Sequence, residues 1–332
     1  MNMLAGSGER LGLAGGTAPV VVRNEQELEA ASREIARETD PGQGGLIAAL
    51  ERSAPDPRAT VQVIRDRFEQ AASALPAPKV TRVDACNVGS MQSLLATPAS
   101  ATRKCLYLHG GAYLFGSPQT AIALAASVAE ALSAQTLVLG YRLAPEATWP
   151  APLQDAIEGL TWLRAGDEAT PVILAGDSAG GGLALCAAME ARRQGLAVAG
   201  VLAMAPWTDL RAGVADRVRS AGDPQTPAWL LERGADALLA DDDSRDHASP
   251  LIGVARHDAS AMLPPTLLQV GSADCIYEDS LAFARTALRH GVPVRLEIWP
   301  RQLHVFQAFA PRMKAAQEAL IRQTEWVQTL QS

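Results

Sequence analysis

Residues 171–194 read PVILAGDSAGGGLALCAAMEARRQ, and this stretch decides the fold. Pro171–Gly176 is a short apolar run, as expected of a strand buried on both faces. Ala179–Gln194 reads as a helix. Between them, Gly176-Asp177-Ser178-Ala179-Gly180 matches G-x-S-x-G and puts a serine on the turn from strand to helix. Small residues at Gly176 and Gly180 let the two elements approach closely. The hydroxyl is then held out at the sheet's edge, where the helix N-terminus stabilises developing negative charge. The plainer reading is a glycine-rich turn that only packs. No Gly-Lys-Ser/Thr follows, which disfavours a phosphate loop.

The same alternation extends outward in both directions. Strands are predicted at Lys104–His109, Thr136–Tyr141, Val201–Ala205, Thr266–Gly271 and Val294–Trp299. Helices are predicted near Ala121–Ser133, Leu153–Arg164 and Glu278–His290, and from about Pro311 onward. Apolar strands that alternate with helices indicate a doubly wound α/β sheet with its site at the strands' carboxyl ends. Residues 1–78 differ. They are Gly-rich at first, then helical at about Glu25–Glu38 and Thr60–Ala74, with no strand signal. The stretch from Trp207 to about Pro250 is too long for an ordinary connection and is read as an insertion that joins the N-terminal helices in a cap. The division is therefore 1–78 for the cap helices and 79–332 for the catalytic domain.

The chain has 332 residues, 48% of them apolar and 20% charged, which fits a folded globular enzyme and excludes a largely disordered chain. The net charge of −7 comes without a Lys/Arg cluster, so nucleic acid is not expected as a partner. Cys86, Cys105, Cys186 and Cys275 form no CxxC pair and suggest a reducing compartment. Neither a signal peptide nor a membrane span is legible, so a cytoplasmic protein is expected.

His109-Gly110-Gly111-Ala112-Tyr113 closes the strand that begins at Lys104. Backbone N–H groups of Gly110 and Gly111, joined by that of Ala179, would form an oxyanion hole. His109 is read as mainly structural. Where a serine elbow sits on such a sheet, an acid and then a histidine follow it in the chain. His304, in WPRQLHVF after the strand Val294–Trp299, is the base; a free imidazole titrates near ~6.5, which suits proton transfer. His247 and His257 fall in or beside the insertion, and His290 ends a helix. Asp274, in TLLQVGSAD, is the acid, and Asp279 is its rival inside the following helix. Arg142 and Asp177 are read as a buried pair supporting the elbow. Tyr113, Leu114, Phe115, Trp207 and Trp229 are either pocket-lining or ordinary core residues.

HGGAY, YRLAPE (Tyr141–Glu146), GDSAGG, GSAD and LHVF, in this order, resemble the hormone-sensitive-lipase-like esterases, the bacterial family IV group. The resemblance spans about Lys104 to Phe306. It implies an α/β-hydrolase fold with a mostly parallel eight-stranded sheet and a helical cap. It implies carboxylesterase activity on short to medium acyl chains through an acyl-enzyme on Ser178, without metal or organic cofactor. It also implies a homodimer through the last strand's edge. The chain departs from the family pattern at Ala112, Gly140 and Val305. The partner expected is a small-molecule ester. A lactone or aryl-amide hydrolase with the same three residues, an interfacial lipase and a non-catalytic receptor are the competing readings.

Overall fold

The computed structural model describes residues 18–35, 41–54, 56–72, 82–210, 226–240, 263–310 and 312–330. Nine strands form one sheet. They are β1 (Val20–Val22), β2 (Arg82–Val88), β3 (Met91–Thr97), β4 (Arg103–Leu108), β5 (Ala134–Val138), β6 (Val172–Asp177), β7 (Gly200–Met204), β8 (Thr266–Gly271) and β9 (Val294–Trp299). The spatial order is β1-β9-β8-β7-β6-β4-β5-β3-β2. The run from β5 to β9 is parallel, while β3, β2 and β1 add antiparallel edges. Every residue of β7 and β8 is buried, because helices cover both faces of the parallel core.

The helices are α1 (Glu25–Glu34), α2 (Gly44–Ser53), α3 (Val61–Ala72), α4 (Pro118–Leu132), α5 (Ala151–Arg164), α6 (Ser178–Arg193), α7 (Ala228–Leu238), α8 (Tyr277–Arg289) and α9 (Lys314–Val327). Local chemistry sets several ends. Ser117 and Thr120 close a capping box on α4, with Pro118 at its first turn, and Ser133 ends it in the left-handed region. The Asn24 side chain accepts from the Glu27 N–H to start α1.

The N-terminal segment is not purely helical. Val20–Val22 pairs antiparallel with β9, Val21 opposite Glu297, so the sheet has nine strands rather than eight. Three residues are too few to show a strand period, and the register comes from an open edge far away in sequence. That edge of β9, through which the resemblance implied a homodimer, is thus paired within the chain. Helix α1 then packs beside α8, where Arg285 and Arg289 meet Glu29 and Glu25 at 3.3 and 3.2 Å.

Of the stretch from Trp207 to Pro250, the described residues contain α7, whose Leu230, Leu231, Ala235 and Leu238 are buried. Arg233 on α7 donates to the Ala59 carbonyl at 2.6 Å, just before α3. Asp241–Asp243, His247 and His257 lie outside the described residues. The hairpin β2–β3 and helix α2 went unpredicted, since no clean period marks them.

Candidate active site

Ser178 is the first residue of α6, directly after β6, and its φ of 53° lies in the left-handed region. A non-glycine residue is held there only when its surroundings over-determine it. Those surroundings are tight. A Cβ on Gly180 would strike the carbonyl oxygens of Leu108 and His109, and one on Gly176 would strike that of Gly180. Bare glycines let α6 start against β4, and the turn leaves Ser178 facing a cavity.

His304 completes the contact. Its Nε2 lies 2.9 Å from Ser178 Oγ, and its Nδ1 lies 3.0 Å from both carboxylate oxygens of Asp274. All three residues are buried. An ionised carboxylate only accepts, so Nδ1 carries the proton and Nε2 is left to accept from the serine. The loops bearing Asp274 and His304 are laced together. Ser272 N–H donates to the Trp299 carbonyl at 2.9 Å, Ala273 N–H to that of Gln302 at 3.1 Å, and Arg301 N–H to Ser272 Oγ at 2.7 Å. A buried hydrogen bond from Gln43, just before α2, to Gln302 (2.8 Å) ties in the N-terminal segment.

The expected oxyanion donors need one correction. The Gly110 N–H donates to the Asp177 carboxylate at 3.1 Å and is not available. Among the described residues, the N–H groups of Gly111, Ala112 and Ala179 have no acceptor. Gly111 has φ of 123°, and a Cβ there would strike the Phe115 carbonyl, so this position admits only glycine. Asp177 also accepts from Tyr107 Oη at 2.6 Å. Burial pushes its carboxyl above the usual range, and the tyrosine hydrogen bond pulls it back. Arg142 is not its partner; it pairs instead with Asp155 at 2.6 Å. The cavity beside Ser178 has a volume of about 270 Å³ and a mainly apolar lining. Its walls come from separate elements: Leu50 of α2, Phe68 of α3, Leu124 of α4, Leu230 of α7, and Val305 and Phe309 next to the base.

A family model for the alpha/beta hydrolase fold matches residues 105–308. The chain belongs to that family. Within this hydrolase family its relatives are esterases. An acetyl-hydrolase of Streptomyces hygroscopicus is 35% identical over 263 residues, 78% of this chain and 86% of the relative. An ethyl acetate hydrolase of Pseudomonas putida is 30% identical over 242 residues, covering 70% and 74%. The crystal structure of an esterase from the bacterial hormone-sensitive lipase family superposes with a TM-score of 0.79 at 29% identity, covering 88% of this chain and 99% of that one. The hydrolase is thus one of the hormone-sensitive-lipase-like esterases.

The remaining expected residues divide. Asp279 is buried in α8, where its carboxylate accepts from the N–H groups of Thr208 and Asp209, both at 3.1 Å; it holds the loop after β7. His290 is exposed at the end of α8. His109 is buried and stacked on Tyr141, and burial lowers its pKa to about 4, so it stays neutral at pH 7. Of the five candidate pocket residues, Phe115 lines the cavity. Tyr113, Leu114 and Trp207 are fully buried in the core, and Trp229 packs on it. Tyr113 braces the elbow instead, donating to the Ala179 carbonyl at 3.0 Å. Phe68, Leu124, Leu230, Val305 and Phe309 had no signal of their own, since each is one apolar side chain on a different element. Asp274, Cys275 and His304 form a cluster of potential metal ligands within 4.8 Å among the described residues. There Asp274 and His304 already bond to one another, and His304 to Ser178. No helix among the described residues is long and apolar enough to cross a membrane.

Proposed function

We propose that this hydrolase cleaves small, neutral carboxylic esters with short acyl chains through an acyl-enzyme on Ser178. The carrying observation is the chain of contacts from Ser178 to His304 to Asp274, with Ser178 and His304 lining a small, mainly apolar cavity. His304 takes the serine proton as Oγ attacks the carbonyl carbon. The oxyanion is received by the N–H groups of Gly111, Ala112 and Ala179. His304 then protonates the leaving alcohol, and water activated by the same imidazole releases the acid.

A volume of about 270 Å³ is at the small end of the ~300–1,000 Å³ of pockets for drug-sized ligands, in keeping with short chains. Among the described residues, no Lys or Arg lines the cavity, which suits an uncharged acyl group. Two relatives bear names for acetyl-ester hydrolysis, in keeping with this reading. Helices α2, α3 and α7 act as the cap. The four free cysteines fit a cytoplasmic setting.

The test is hydrolysis of p-nitrophenyl esters from acetate to palmitate, wild type beside Ser178→Ala. The expected profile peaks at acetate to butyrate, with kcat lost by at least ~10⁴-fold in the variant. Retained turnover in folded Ser178→Ala, or a maximum at palmitate, would overturn the proposal.

A further inference from the structure

We infer that Arg65, on cap helix α3, is a positioning residue for the oxyanion donors, and that the Tyr141–Ala144 stretch is the brace it works against. The inference rests on the serine-hydrolase reading above.

No residue of Tyr141–Glu146 lines the cavity beside Ser178, yet the stretch bonds repeatedly to the 109–114 loop. Tyr141 Oη donates to the His109 carbonyl at 2.6 Å. The Ala144 N–H donates to the Tyr113 carbonyl at 2.9 Å. Arg65 closes this arrangement from the cap side. Its Nε donates to the Leu114 carbonyl at 2.8 Å, and its Nη2 to the Ala144 carbonyl at 2.9 Å. The outer guanidinium edge holds Glu146 bidentately at 2.8 and 2.7 Å. Phe68, on the same helix face, meets Phe115 edge-on with ring centroids 4.7 Å apart.

The loop needs such a hold. Gly111, Ala112 and Tyr113 have successive φ values of 123°, 50° and 60°, and the last two are conformations that L-residues avoid. Leu114 N–H donates back to the Gly111 carbonyl at 2.9 Å, so a displacement at Leu114 reaches the donor residues directly. Donors misplaced by about 1 Å cost roughly 10²-fold in rate. Arg65 is 22% exposed and Glu146 is 64% exposed. An exposed ion pair contributes little, so the two carbonyl contacts carry the effect and Glu146 does not.

The test compares Arg65→Ala, Arg65→Lys and Glu146→Gln by p-nitrophenyl acetate kinetics, thermal melting and affinity for an alkyl trifluoromethyl ketone. Ser178 Oγ adds to the ketone carbonyl carbon, its proton passes to His304, and the carbonyl oxygen becomes an oxyanion in the hole. Arg65→Ala is expected to lower kcat and kcat/KM together by about 10–100-fold, with KM within about threefold. The ketone should weaken in proportion, Arg65→Lys should recover part of the loss, and Glu146→Gln should stay near wild type. Should Arg65→Ala fail to fold, Arg65→Gln, which keeps one donor, replaces it. The inference is overturned if folded Arg65 variants keep full kcat, if kcat falls while ketone affinity does not, or if Glu146→Gln loses as much as Arg65→Ala. A wild type without ester turnover would instead sink the serine-hydrolase reading beneath it.

Discussion

Replacing Val305 with glycine tests how the cavity sets chain length. Val305 follows the base directly, lines the cavity and has φ 46° and ψ 42°. A β-branched residue in that region is strained, at a cost of about 1–2 kcal/mol. Glycine would return that strain but add ~0.5–1 kcal/mol of backbone entropy. It would also forfeit roughly half of the ~1.5–3 kcal/mol of a fully buried valine, since the side chain is partly buried. These terms cancel to within ~1–2 kcal/mol, so the variant should fold with a Tm within several degrees of wild type. The acyl site gains the space of an isopropyl group. Room for one or two more methylenes, at ~0.8 kcal/mol each, is worth ~4–15-fold. The assay is kcat/KM on p-nitrophenyl acetate, butyrate, hexanoate and octanoate. The hexanoate-to-acetate ratio should rise by that factor. A folded variant whose ratio stays within twofold of wild type would refute Val305 as the wall that limits chain length.

Three further outcomes follow from the geometry. Asp274→Asn replaces the carboxylate that orients His304 Nδ1–H with a neutral amide that can present a donor to the ring and favour the wrong tautomer, so kcat should fall by about 10³–10⁴-fold with Tm little changed; steady-state kinetics beside a melting curve would show it. Gly182→Ala would drive a methyl into the Trp207 carbonyl oxygen, an overpacking cost of ~1–3 kcal/mol readable in urea denaturation. Burial holds the His109 pKa at about 4 against 6.5 when free. The unfolded chain therefore takes up the proton first, and stability is lost as pH falls from about 6.5 towards 4, by on the order of 3 kcal/mol from this group. Urea midpoints for wild type and His109→Asn at pH 7 and 4.5 should show a smaller decline in the variant.

Much of the parallel core was legible because its strands obey a local rule. Thr266–Gly271 and Val294–Trp299 stand out as short apolar runs, and both are strands with those bounds. The edges were harder. Arg82–Val88 alternates between exposed and half-buried residues, and Val20–Val22 acquires its conformation from β9. An edge strand owes its existence to a partner, so its own residues carry little of the signal.

At the site, sequence alone determined the groups whose placement follows from local structure. A serine flanked by close-packing glycines between a strand and a helix must project from the sheet's edge. Asp274 and His304 follow in the order in which the later strands end there. Tertiary structure alone decided which neighbours those groups share. Gly110 N–H is spent on Asp177, 67 residues away, which leaves the N–H groups of Gly111 and Ala112 as the donors for the oxyanion proposed above. Arg142 turns to Asp155, and Arg65 reaches the loop from a helix that carries no motif. The cavity wall takes single side chains from α2, α3, α4 and α7 and from the loop after His304. Each of those contacts joins residues distant in the chain, and their chemistry is defined by the partner they meet.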